Sequence, residues 1–303
     1  MTATEDRRPL RIVWDDGTVP LPPGDWLLRS GATAHARDGL NVLLDFDLSH
    51  APAQPGLPPV FAALPEPSAD PRAPVHYAPV ATALVGDAAA AEALASWAAA
   101  AILALPCQGV RLLGLEQIPA TLLPLVLTAL RRATPGRFLF AWTAGLSRAA
   151  MEGLPPGALD AVSASLPWWD AQSAWLWDEI AVLRRAAPVV LPAASTAAGP
   201  VRWLAIAAAL GDGWLVLAAH AAGLPTPLRG GGQHVLSAPG APVLAILRTD
   251  APDMRQAGTG TLVLTARADA TVHPGPLLAA MGRPFAPFIA TDGRTLDRLL
   301  LTA

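Results

Sequence analysis

The residues able to do chemistry stand at the ends of apolar strands. Asp45 and His50 follow the run NVLLDF, Arg111 lies inside GVRLLGLE with Glu116 just beyond it, and Trp168, Trp169 and Asp170 follow AVSASL. Carboxylates at such places can act as acid, base or nucleophile. Paired indoles offer flat apolar faces that suit pyranose rings. Each residue also has a plainer reading. Asp45 and His50 can satisfy the loop after their strand. A buried Arg111 would be costly without an acid beside it. Glu116 can cap a helix or face water, and tryptophans, of which the chain has 10, commonly pack. Trp175 and Trp177 fall in a helix and are read as core. His220 follows a strand and is read as structural or exposed. Arg229-Gly230-Gly231-Gly232-Gln233 does not lie between a strand and a helix, as a phosphate loop must, and is read as a flexible link.

The elements that must position these residues alternate. Leu10–Trp14 reads as a strand ended by Asp15-Asp16-Gly17, and Asp25–Asp38 as an irregular helix. Asn41–Phe46 is a buried strand. Residues 51–79 carry prolines at a density that forbids regular elements, so a long surface loop is expected. Asp87 is placed to cap a helix running to Leu105. Val110–Leu115, a helix over Thr121–Arg132 and Phe138–Trp142 then form one βαβ unit with strands buried on both faces. Helix and strand continue through Ser147–Glu152, Ala161–Leu166, Ala174–Ala186, Pro188–Leu191, Val201–Leu210 and Trp214–Ala218. This order is the signature of a wound parallel sheet or barrel. Beyond it, Val243–Leu247, Gly260–Ala266 and Ala270–His273 read as short strands, with helix again at Thr295–Leu300. The expected division is a barrel-like domain over 1–225 and a small antiparallel β domain over 240–303.

Composition excludes several roles. The chain has 303 residues, 52% hydrophobic and 15% charged, with a net charge of -3, so a large core and no basic binding face are expected. It has no lysine and no basic run, which argues against nucleic-acid binding. One cysteine, Cys107, permits neither an internal disulfide nor a cysteine zinc site, and no metal or cofactor is expected. The N-terminal MTATEDRRPL lacks the apolar stretch of a secretory signal. The apolar run 88–106 is mostly alanine, interrupted by Glu92 and Ser96, and reads as a packed helix, not a membrane span. A cytoplasmic setting is expected.

GLNVLLDFDLSHAP, residues 39–52, is similar to the first conserved region of the α-amylase superfamily (glycoside hydrolase family 13), where a barrel strand ends in Asp and is followed by Asn-His. Asp45 takes the Asp position, Ser49 replaces the Asn and His50 takes the His. The form looks closest to the maltose-1-phosphate maltosyltransferases, which extend α-1,4-glucans. QGVRLLGLEQIPATLL is similar to their nucleophile strand, with the pattern Gly-Phe-Arg-x-Asp. FLFAWTAGLSRAAM resembles the strand of the general acid, the segment from Leu159 to Val190 resembles the strand and helix that follow, and AALGDGWLVLAA resembles the last barrel strand.

The resemblance implies the fold and argues against the activity. Retaining glycosyl transfer needs a carboxylate nucleophile and an acid about 5–5.5 Å apart. Here the nucleophile position falls on Leu113, and the acid position among Phe140, Ala141 and Trp142. A third carboxylate should follow Pro188–Leu191, where the sequence is PAASTAAGP. The segment ahead of Asp45 is short for the family, so an incomplete barrel is expected, with open strand edges that a partner or a second copy would cover. The expected function is an inactive relative that binds an α-glucan or maltooligosaccharide, with Asp45, His50, Arg111, Glu116, Trp168, Trp169 and Asp170 as candidate sugar contacts. Two alternatives remain: an active glucan transferase or hydrolase with relocated carboxylates, and a structural or interaction protein that partners another chain.

Overall fold

The structure is a computed structural model that describes residues 10–14, 26–29, 41–51, 61–63, 82–84, 86–169, 175–193, 206–207, 210–221, 232–237, 243–253, 256–257 and 260–266. Its strands are β1 (Leu10–Trp14), β2 (Trp26–Arg29), β3 (Asn41–Asp47), β4 (Phe61–Ala63), β5 (Thr82–Leu84), β6 (Gly109–Leu113), β7 (Phe138–Ala141), β8 (Ala161–Ser163), β9 (Val189–Ala193), β10 (Gly213–Leu217), β11 (Gln233–Val235), β12 (Val243–Thr249) and β13 (Gly260–Ala266). The helices are α1 (Ala88–Ala104), α2 (Leu123–Ala133), α3 (Arg148–Glu152), α4 (Trp175–Leu183) and α5 (Ala218–Ala221).

Eight strands close into a barrel in the order β1-β10-β9-β8-β7-β6-β3-β2. The expectation of an incomplete barrel is corrected: β1 and β2 supply the missing wall. Trp26–Arg29 had read as helix, but it pairs in parallel with Asn41–Leu44. Four residues suffice for a strand when ladder bonds on both sides satisfy the backbone, so local propensity is overridden. Closure leaves the barrel no free edge for a partner to cover. A second correction concerns the proline-rich loop, which contains one strand of a small antiparallel pair, β4 with β5. Phe61–Ala63 is a proline-free island, which is where such a strand can form.

By internal contacts the chain divides into two units: residues 13–165 with 177–189, and residues 1–12 with 166–176 and 190–303. In the first unit α1 buries Ala91, Leu94, Ala95, Ala98, Ala99 and Ile102, the i, i+3, i+4 stripe of a packed helix. Asp87 caps it, accepting from the N–H groups of Ala89 and Ala90 at 2.9 and 3.4 Å. The Arg137 guanidinium donates to the carbonyls of Cys107, Leu103 and Leu105 at and beyond its other end, so the carbonyls at that terminus gain donors. Helix α2 packs on α1 with Leu123, Val126, Leu127 and Leu130 buried. No helix among the described residues is long and apolar enough to cross a membrane.

In the second unit β11, β12 and β13 form an antiparallel sheet. Gln233, read as part of a flexible link, opens β11 opposite Arg248. Arg248 is 1% exposed and pairs with the buried Asp212, just before β10, at 2.5 Å. The helix expected at Val201–Leu210 is described only at 206–207 and 210. The elements expected at Ala270–His273 and Thr295–Leu300 lie outside the described residues.

Candidate functional site

Strand alternation decides which side chains enter the barrel. Phe46 stacks on Trp97 of α1, with ring centroids 5.4 Å apart, so the even positions of β3 face the helices. Leu43, Asp45 and Asp47 therefore face inward. Ladder pairing then sets β6: Asp45 is opposite Arg111 and Asp47 opposite Leu113. On β7 Phe138 is opposite Gly109 and Phe140 opposite Arg111. A Cβ on Gly109 would lie 2.6 Å from the Phe138 Cβ and 2.8 Å from the Leu43 side chain, which places Phe138 and Leu43 on the same inner face. Phe138 meets Trp26 of β2 at 4.2 Å between centroids. Phe140 and the following Trp142 continue that face, and Ala141 points the other way.

The centre of this face is an ion pair. Arg111 donates through Nε to Asp45 Oδ1 at 2.6 Å and through a terminal nitrogen to Asp45 Oδ2 at 2.9 Å. This is the bidentate fork that suits guanidinium to carboxylate. Arg111 is 6% exposed, so the pair offsets the cost of burying its charge. The rings of Trp14 and Trp142 each lie 5.2 Å from the guanidinium carbon, within cation–π range. Trp142 is fixed by its backbone: its N–H bonds Leu112 O at 2.9 Å, and the next residue, Thr143, bonds Ser163 through both its N–H and its hydroxyl.

Asp47 is the residue that sequence reasoning missed. Its Oδ1 accepts from the Ser49 N–H at 2.9 Å and from the Ser49 hydroxyl at 2.6 Å. Its Oδ2 lies 2.9 Å from His50 Nδ1. Gly114, at φ 75°, makes room: a Cβ there would come within 2.5 Å of Asp47 Oδ1. The signal was available, since Asp47 is two residues from Asp45 and so shares its face. His50 itself projects outward, 79% exposed.

Glu116 sits in the short 3-10 turn Leu115–Gln117 after β6. Burial pushes its carboxyl up, and the Asp47 charge adds to this, against hydrogen bonds from its own backbone and from Gln117. Trp168 presents an exposed ring, whereas Trp169 is buried, so the two indoles do not form one open platform. Asp170 lies outside the described residues. Among the described residues no group of His, Cys, Asp or Glu is gathered so as to hold a metal ion.

The inner face therefore carries Asp45 and Asp47 on β3, Arg111 and Leu113 on β6, and Phe140 and Trp142 at β7. The strands expected to bear the first conserved region, the nucleophile and the acid are neighbours, β3-β6-β7. This is a parallel β/α barrel with a buried acid–arginine pair near the C-terminal ends of its strands, the end where barrels of this kind do their chemistry. The chain is 36% identical over 167 residues to an α-1,4-glucan:maltose-1-phosphate maltosyltransferase of Burkholderia pseudomallei. The match takes in 48% of this chain and 15% of the enzyme. The likeness is therefore to a small part of that enzyme. No family model matches. Among solved structures, an Anoxybacillus α-amylase aligns with 87% of this chain and 76% of its own at 13% identity, with a TM-score of 0.49. AmyP with maltotriose aligns with 91% and 86% at 11% identity, with a TM-score of 0.48. At this level of similarity neither structure bears on function.

Proposed function

We propose that this chain is a catalytically inactive relative of the glucan-extending maltosyltransferases, with a glucan-binding or accessory role in α-glucan metabolism. The observation that carries the reading is the pair of adjacent strand ends. Leu113 closes β6 and Trp142 follows β7, where a retaining mechanism needs two carboxyl groups facing one another. Leucine cannot form a glycosyl ester, and an indole in that position has no carboxyl proton to give. Asp45 is held in its fork with Arg111, and both Asp47 oxygens are engaged by the turn that follows. The natural ligand under this reading is a maltooligosaccharide, and the exposed Trp168 ring is a surface on which it can stack. The setting is cytoplasmic.

The test is maltosyl transfer from maltose-1-phosphate to maltotetraose by the purified chain, alongside calorimetric titration with maltoheptaose. Binding without turnover is the expected result. Turnover abolished by Glu116→Gln would overturn it.

One observation favours a second reading, an active enzyme with relocated acids. Glu116 stands beside Asp47 with its carboxyl raised, chiefly by burial, and a raised carboxyl suits the role of an acid. The same assay decides between the two. The third reading, an interaction protein, loses the motive of open barrel edges.

A further inference from the structure

The position of Trp14 bears on what can enter the barrel. Trp14 ends β1, and Arg111 is in β6; in the closed ring β2 and β3 stand between them. Three steps along the wall, at roughly 4.8 Å each, separate the two strands. The Trp14 ring is nevertheless 5.2 Å from the Arg111 guanidinium carbon. Such a contact is made across the interior, not along the wall. Trp142 reaches the same guanidinium from the β7 side at the same distance. The two rings thus meet at the guanidinium that holds the Asp45 carboxylate, whose own side chain is 17% exposed.

We propose that Trp14, Arg111 and Trp142 form a built-in stopper, which fills the space over Asp45 that a sugar ring would have to occupy to enter the barrel mouth. Side-chain layers fill the interior of every such barrel; here the filling continues up to the level of the missing nucleophile, since Leu113 is the next inward residue on β6. Trp142 belongs to the stopper by replacement, standing in the segment that would carry an acid. Trp14 belongs to it by reach. A glucan chain, on the inactive reading on which this inference rests, is then held outside the mouth and not threaded into it.

The stopper is tested on the full chain with phenylglyoxal, which modifies accessible guanidinium groups, read by peptide mass spectrometry. Exposed Arg132 serves as the internal reference. Arg111 is expected to react at least about tenfold more slowly than Arg132 in the unaltered chain, because protection follows burial. Trp14→Ala and Trp142→Ala are each expected to raise the Arg111 rate by about tenfold and to leave Arg132 unchanged. Where either variant does not fold, Trp14→Leu and Trp142→Leu, which keep apolar bulk but remove the flat ring, replace it with an intermediate gain expected. Arg111 reacting as fast as Arg132 in the unaltered chain overturns the stopper. So does protection that persists in folded variants at both positions. Either result leaves the transfer assay untouched, so failure of the stopper and failure of the inactive reading are told apart.

Discussion

Asp47 stands directly across the β3–β6 ladder from Leu113. A carboxylate is thus present at the height of the missing nucleophile, but on the neighbouring strand. It is turned to structural use by Ser49 and His50. Placing a second acid at Leu113 would set two carboxylates on adjacent inward positions, where like charges hold one of them protonated. Leu113→Asp alone is nevertheless expected to yield no maltosyl transfer, because no open subsite comes with it. Single-turnover assay with maltose-1-phosphate checks this; measurable product would show that the barrel mouth admits substrate after all.

The Asp45–Arg111 fork should be worth more to the fold than any exposed pair. Asp45→Ala leaves a buried guanidinium without its carboxylate, at a cost of about 3 kcal/mol. Asp45→Asn retains an acceptor and should cost less. Urea unfolding followed by tryptophan fluorescence separates the two. Equal stability of all three proteins would mean that water or another group replaces the pair.

A second buried pair, Asp212 with Arg248, ties the β11–β13 sheet to the segment entering β10. Breaking it by Asp212→Ala is expected to cost about 3–5 kcal/mol. The double change Asp212→Ala with Arg248→Met should recover much of that loss, since it removes both buried charges together. A double-mutant cycle in denaturant measures the coupling. Additive single effects would show that the ion pair contributes little.

Glu179 gives a pH signature. It is buried on α4 and accepts from the Ser165 N–H and hydroxyl, each at 2.9 Å. Burial raises its carboxyl above the ordinary glutamate value, and the two Ser165 bonds only partly counter this. A raised carboxyl binds its proton more tightly in the folded state. Stability from this group is therefore full below the unfolded value and is lost as pH rises through the folded one. Glu179→Gln keeps the acceptor and removes the ionisation. The variant should match the parent in acid and exceed it toward neutral pH, as read from melting temperature against pH. Parallel curves for parent and variant would refute the assignment. Glu116, raised chiefly by burial and further by Asp47, contributes with the same sign.

Gly114→Ala should show how tightly the strand end is built. The residue has φ 75°, and a Cβ would press on Asp47 Oδ1. A cost of about 1–2 kcal/mol is expected from the left-handed backbone alone, with more from the displaced carboxylate. The check is thermal unfolding, together with loss of hydrogen-exchange protection at the Ser49 N–H. An unchanged Ser49 N–H would show that the turn does not need the glycine.

The alternation of helix and strand made the barrel legible, because long apolar runs such as NVLLDF and GVRLL carry their own period and length. Trp26–Arg29 was misread because four residues carry no usable period, and their strand state comes from β3 beside them. Phe61–Ala63 was hidden by the prolines around it. At the site, the pairing of Arg111 with an acid followed from the cost of an unpaired buried charge. Trp14 could not be foreseen as part of the site. Its place depends on closure, which brings the end of β1 across from β6, and nothing local in LRIVW encodes a partner on the far wall.

Closure also sets an order of events. Leu10 donates its N–H to Asp212 O, so β1, made first, meets its β10 neighbour only after nearly all the barrel sequence exists. Until then β1 carries an unsatisfied edge, and the ring cannot lock by local contacts alone. Folding should be slow, with its rate set by this late meeting of distant strands.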